Sequence, residues 1–226
     1  MAEILKINRK NLKKIIKIAV GSIKSGKVLI CPTDTVYGLI ADATNKKAVK
    51  KAFKIKKRKT ERALPIFVKD LKTAKKLAEI DKEKERILKR LWPGKVTVIL
   101  KRTRPRQGFG LRPTKSPSAD EVGGQGKRVK IFGVDKKTIG LRIPNYKLVN
   151  ILLSKLNKPL TGTSANISGK PASTKIKEVI SQFENKKDQP DLILSAGNLK
   201  KSLPSTVIDL TSKKFKILRE GEIKIN

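Results

Sequence analysis

The sequence predicts an α/β protein: a twisted, open, mixed sheet flanked by helices. Segments with helical apolar spacing alternate with short apolar runs along nearly the whole chain, which is the pattern of layered α/β architecture. Several connections between those runs are too short for a helical crossover, so some neighbouring strands must run antiparallel and the sheet must be mixed. At 226 residues, with no internal repeat and no second core in the pattern, one domain spanning 1–226 is expected.

The elements follow in order. Leu12, Ile15, Ile16, Ile18 and Ala19 recur at helical spacing over residues 10–24, and Gly26 then precedes a strand at 27–31. From Thr44, read as an N-cap, Ala48, Val49, Ala52 and Phe53 form the apolar face of a second helix, expected to fray near Ile55 to Lys59. Ala63 to Val68 reads as a strand. Residues 70–91 read as one or two charged amphipathic helices, which Trp92-Pro93-Gly94 breaks before the alternating strand Val96 to Lys101. Further strands are expected at 139–143, 159–163, 191–195, 205–210 and 215–219, with helices at 147–156 and 173–184. One stretch breaks the pattern. From Arg102 to about Lys137 apolar periodicity vanishes and ten Lys or Arg stand against three Asp or Glu, so 102–137 reads as an inserted, flexible, basic loop.

Composition narrows the chemistry. The 55 Lys and Arg against 19 Asp and Glu give a formal charge of +36. Such a field draws polyanions, with phosphate-rich partners first, although a lysine excess spread along the whole chain also fits a surface merely decorated with lysine. One Trp, two Tyr and six Phe offer little stacking surface for a dedicated single-strand binder. The absence of histidine removes Ser-His and Cys-His nucleophiles and leaves transition metals almost without ligands, while hard-ion chemistry with oxygen ligands survives. The single cysteine, Cys31, sits in an apolar run and reads as a small core hydrophobe in a reducing compartment. No apolar stretch approaches the roughly 20 residues of a membrane span, and the first residues lack a signal-peptide core, so a cytoplasmic location is expected.

Four places carry candidate chemistry. Pro32-Thr33-Asp34-Thr35-Val36-Tyr37-Gly38-Leu39 ends a core strand in hydroxyls around one carboxylate; it reads either as a ligand-binding edge or as a turn with an Asx-type cap. Lys54-Ile55-Lys56-Lys57-Arg58-Lys59 is either a solvated helix end or, where the helix unwinds, a phosphate clamp made by Lys56 and Arg58. Thr161 to Gly169 is a loop of small and hydroxylic residues suited to phosphate or sugar oxygens. Arg142, within an apolar strand, requires an anion, either a ligand carboxylate or an internal acid.

Taken in order, Pro32 to Leu39, Lys56-Lys57-Arg58, Leu91-Trp92-Pro93-Gly94, Arg142-Ile143-Pro144, Ser164-Ala165-Asn166, Ser205-Thr206-Val207-Ile208-Asp209 and Arg219-Glu220-Gly221 resemble the Sua5/YciO/YrdC family, from about residue 7 onward. The resemblance implies a YrdC-like sheet with a basic, positively charged concave surface. It implies L-threonylcarbamoyladenylate synthesis from L-threonine, bicarbonate or CO2 and ATP, for the t6A modification of tRNA. By the same resemblance Lys56 and Arg58 hold the ATP phosphates and act catalytically. Ser164, Asn166, Thr138 and Arg219 are further ATP contacts, and Thr33, Arg142 and Ser205 surround threonine. Mg2+ is expected with ATP, without a protein ligand. Expected partners are tRNA or double-stranded RNA and a downstream threonylcarbamoyl transferase complex. The alternative is a non-catalytic double-stranded RNA- or ribosome-binding YrdC-like module, and a third reading is a relative acting on another carbamoylated acceptor. Two departures stand out: Lys59 replaces the proline that often follows the K-x-R arginine, and 102–137 exceeds the usual connection. The chain resembles the short, single-domain form of the family.

Overall fold

The computed structural model describes residues 2–103, 130–212 and 215–225. Its strands form two mixed sheets in place of the single sheet expected. The first has five strands in the order β1 (Glu3–Lys6), β9 (Leu192–Ser195), β2 (Leu29–Cys31), β3 (Gly38–Ile40) and β8 (Thr163–Ser164). The second has six, in the order β11 (Lys216–Arg219), β10 (Thr206–Asp209), β5 (Val96–Lys101), β6 (Thr138–Arg142), β4 (Ile66–Phe67) and β7 (Leu160–Thr161). Both sheets mix the two pairings: in the first, β1–β9 and β9–β2 are parallel and β2–β3 and β3–β8 antiparallel, whereas in the second the two kinds alternate from strand to strand. Six helices complete the described chain: α1 (Leu12–Lys24), α2 (Lys46–Lys56), α3 (Leu71–Leu77), α4 (Lys82–Leu91), α5 (Lys147–Leu156) and α6 (Ile176–Phe183).

The helices are amphipathic and bury one stripe each. Ile15, Ile16, Ala19 and Ile23 of α1 pack with Leu148, Val149, Leu152 and Leu153 of α5 and with the first sheet. Phe67 and Leu160 of the second sheet join that same cluster beside Leu29, Cys31 and Ile40 of the first, so one core is shared between the sheets. The chain itself also links them. After β7 it crosses at Gly162, whose N–H donates to Pro65 O (2.8 Å), and enters β8 of the other sheet.

Several local expectations are corrected. The N-cap of α2 is Asn45, whose Oδ1 accepts from the N–H groups of Lys47 and Ala48; Thr44 instead donates to Asp42 Oδ1 (2.6 Å). The helix does not fray at Ile55 but runs through Lys56 and stops at Lys57, left-handed at φ 47°. Lys57 N–H donates to Lys54 O and Arg58 N–H to Phe53 O, the paired closure of a Schellman motif. The loop 32–37 is a hairpin connection between antiparallel β2 and β3, with Cys31 opposite Gly38. The central part of the expected insertion lies outside the described residues, but its end at 130–137 is not loose. Ile131 is buried in the core, Phe132 N–H donates to Ala43 O (2.9 Å), and Gly133 O accepts from Leu64 N–H (2.7 Å).

Candidate active site

A cavity of about 250 Å3 opens at the seam between the sheets, around the Gly162 crossing. Of the expected site residues, Thr33, Lys56, Arg58, Arg142, Ser164, Asn166, Ser205 and Arg219 all line it. Thr138 does not. It lies at the opposite end of β6 from Arg142, half-buried, donating its hydroxyl to Asp135 Oδ1 (3.1 Å) in the turn that starts the strand.

At one end the walls are cationic. Lys56 is the last residue of α2, and its ammonium group reaches Ser164 O (2.7 Å), Asn166 Oδ1 (2.7 Å) and Asn166 O (3.1 Å). All its partners are neutral oxygens. The left-handed turn at Lys57 brings Arg58 to the same cavity, where Nε donates to Arg62 O (2.8 Å) and Nη2 to Ala63 O (2.9 Å). Arg219, beyond them, donates from Nε and Nη2 to Ser205 O. Among the described residues none of these three cations forms an ion pair, and burial, then Arg58 and Arg219, push the Lys56 ammonium down from 10.5 to about 7. Three basic side chains that have no acidic partner among the described residues, gathered in one cavity, are the arrangement that a bound anion would satisfy.

Ser164 and Asn166 are one unit with Lys56. The Ser164 hydroxyl donates to Asn166 Oδ1 (2.6 Å), and the Asn166 amide nitrogen donates to Ile167 O and Lys170 O, which fixes the orientation of the carboxamide. This connection between the K-x-R and S-x-N segments is invisible in sequence, where more than a hundred residues separate them.

The other end is built around Arg142. Its Nη2 pairs with Asp34 Oδ1 (2.6 Å), Nε donates to Gly94 O (2.8 Å) and Nη1 to Thr35 Oγ1 (3.3 Å). Both side chains of the ion pair are nearly closed to solvent, at 4% and 7% exposure, so the cation in the apolar strand already has an internal acid. Asp34 Oδ2 further accepts from Asn145 N–H (3.0 Å). Thr33 holds the hairpin loop as well as facing the cavity: its hydroxyl donates to Val36 O (2.6 Å) and accepts from Thr35 N–H (3.1 Å). Ser205 meets Thr97 Oγ1 at 2.9 Å and Arg219 Nη2 at 3.2 Å, which ties the threonine-type residues to the cationic end.

Sequence reasoning missed three supports. Gly94, read as a breaker and as part of the Leu91 to Gly94 motif but given no role at the site, carries the carbonyl that fixes Arg142, and a Cβ there would crowd Leu91 O at 2.5 Å. Phe67 stands opposite Arg142 in the β4–β6 register, its ring 5.7 Å from the guanidinium, and it lies so close to Gly162 that any Cβ at the crossing would overlap the ring. Gly221 lets the backbone after β11 approach Pro204 and Ser205 where a side chain would collide. For Gly94 and Gly221 the signal available was the glycine itself, the last residue of its motif; for Phe67 it was Gly162, two residues before Ser164.

Among the described residues no group of three or more His, Cys, Asp or Glu is placed to hold a metal ion, and no helix is long and apolar enough to cross a membrane.

The family model for Sua5/YciO/YrdC, described as "Telomere recombination", matches residues 21–221. A Methanocaldococcus jannaschii protein named "Putative threonylcarbamoyl-AMP synthase" is 34% identical over 223 residues, 99% of this chain and 93% of that one. A Pyrococcus abyssi protein named threonylcarbamoyl-AMP synthase is 34% identical over 211 residues, 93% of this chain but 55% of that one, so the chain spans about half of the longer relative. The crystal structure of P. abyssi Sua5 complexed with L-threonine superposes with a TM-score of 0.76 at 31% identity, over 98% of this chain and 57% of that one.

Proposed function

We propose that this chain, which belongs to the Sua5/YciO/YrdC family, is a threonylcarbamoyl-AMP synthase, joining L-threonine, bicarbonate and ATP into L-threonylcarbamoyladenylate, pyrophosphate and water. One observation carries the reading: a single cavity holds three basic side chains, without an ion-pair partner among the described residues, at one end and the Arg142, Thr33 and Ser205 group at the other. The first suits a triphosphate, the second an amino acid with a hydroxyl side chain. The threonine amine takes up carbonate to give a carbamate, and a carbamate oxygen attacks the α-phosphate as the bond to pyrophosphate breaks. Little covalent work falls to the protein. Such in-line transfer rests on positioning and on cations facing the charge that develops on the leaving group, roles we give to Lys56 and Arg58.

Ser164 and Asn166 hold Lys56 in place and contact the nucleotide, and Arg219 bridges it to Ser205. The remaining N–H groups of Arg142, whose charge Asp34 balances, orient the threonine carboxylate. Mg2+ would enter with ATP, held by the phosphates and by water, and would neutralise part of the phosphate charge. We place the enzyme in the cytoplasm, supplying a downstream threonylcarbamoyl transferase that acts on tRNA.

Purified protein given threonine, bicarbonate, Mg2+ and ATP is expected to release pyrophosphate only when threonine is present. No threonine-dependent release from folded protein refutes the proposal. Changing Lys56 and Arg58 together to Ala separates this reading from RNA binding alone. An enzyme loses at least about a hundredfold in turnover, whereas a pure binder with 55 basic residues loses little RNA affinity.

A further inference from the structure

The run Ser164-Ala165-Asn166-Ile167-Ser168 alternates: Ala165 and Ile167 are buried in the core, while Ser164, Asn166 and Ser168 line the cavity. Two of those three polar groups are engaged with each other and with Lys56. The third is not. Ser168 Oγ is shut off from solvent and, among the described residues, has no hydrogen-bond partner, although its backbone N–H donates to Lys56 O (2.8 Å), which anchors the residue beside the cation. Gly169, next along, is exposed and left-handed at φ 87°, with nothing within 4 Å of where a Cβ would stand, so no side chain from this turn stands over the cavity lining that Ser168 belongs to.

A buried hydroxyl without a partner destabilises the free protein and gains nothing there. We propose that the Ser168 hydroxyl is a third nucleotide-binding group of this segment, donating to a phosphate oxygen of ATP beside Lys56 and remaining unpaired until the nucleotide arrives. The inference rests on the nucleotide reading of the cavity. It separates two quantities that a merely structural serine would move together: stability of the free protein and affinity for nucleotide.

The test is Ser168→Ala in the full chain, read by thermal unfolding without ligand and by calorimetric titration with Mg·ATP. The free protein is expected to keep its Tm or gain about 3 °C, while the Mg·ATP dissociation constant rises about tenfold. The threonine KM should change far less. Ser168→Thr and Ser168→Val, equal in size and differing by the hydroxyl, provide the control: affinity should be better with Thr than with Val. A lower Tm for Ser168→Ala together with unchanged Mg·ATP affinity overturns the inference, as do equal dissociation constants for the Thr and Val variants. Wild-type protein that binds no Mg·ATP overturns the nucleotide reading itself, an outcome distinguishable from variants that all bind as the wild type does.

Discussion

Between about pH 7 and pH 9 the ligand-free protein should gain about 2 kcal/mol of stability through Lys56 alone. Its ammonium is buried among neutral oxygens beside two arginines and titrates at about 7, whereas a lysine in the unfolded chain titrates near 10.4. Between those two values the unfolded chain binds a proton that the folded chain has released, so raising the pH favours folding; below about 7 the penalty of the buried charge is felt in full. Each unit of difference corresponds to about 1.4 kcal/mol, and integrating over the two pH units gives the figure stated. The assay is urea unfolding of wild type and Lys56→Met at matched pH. The difference between the two cancels every other titrating group and the fixed effect of the lost hydrogen bonds. It should climb by about 2 kcal/mol in favour of wild type across the window. Parallel curves, within about 0.5 kcal/mol, would refute the account of Lys56 as a buried and uncompensated cation. Phosphate oxygens at Lys56 would restore its proton, so saturating Mg·ATP should flatten the wild-type profile.

Other outcomes follow from the walls of the cavity. Gly162→Ala drives a Cβ into the Phe67 ring and should cost about 1–3 kcal/mol in chemical denaturation, with a raised threonine KM and a smaller change for ATP; an unchanged threonine KM would argue against Phe67 bordering the amino-acid end. Asp34→Asn leaves the Arg142 charge buried without its acid and should lower unfolding stability by about 3–5 kcal/mol, a loss that Arg142→Met in the same background should partly relieve. Gly221→Ala pushes against Pro204, Ser205 and Thr206 and should impair threonine-dependent pyrophosphate release while circular dichroism keeps its helical signal.

Local pattern was legible wherever packing is one-sided. The apolar alternation at Val96 to Lys101 and the helical stripe over 147–156 coincide with β5 and α5. β1, with every residue but Leu5 exposed and held by a parallel pairing to β9 far along the chain, carries no period to detect. β3 was hidden within the Pro32 to Leu39 motif, because three buried residues are too few to show alternation. At the site, order and spacing of motifs identified eight cavity residues, since each is a short local signature. What joins them was not legible: the Lys56–Asn166 and Arg142–Asp34 contacts both cross from one part of the chain to another. Charge physics required an anion for Arg142 and left its source open between ligand and protein; Asp34 is that anion.

The passage of the chain from one sheet to the other at Gly162 bears on how the molecule comes apart. One wall of the cavity belongs to the first sheet through the 32–37 hairpin and β8, the opposite wall to the second through Arg142, Ser205 and Arg219. On the proposed reading, a bound nucleotide would act as a clasp across both halves, and no partial unfolding that parts the sheets could retain it. Protection by ligand should extend to the most slowly exchanging amides of both sheets alike, growing with the logarithm of ligand concentration in each.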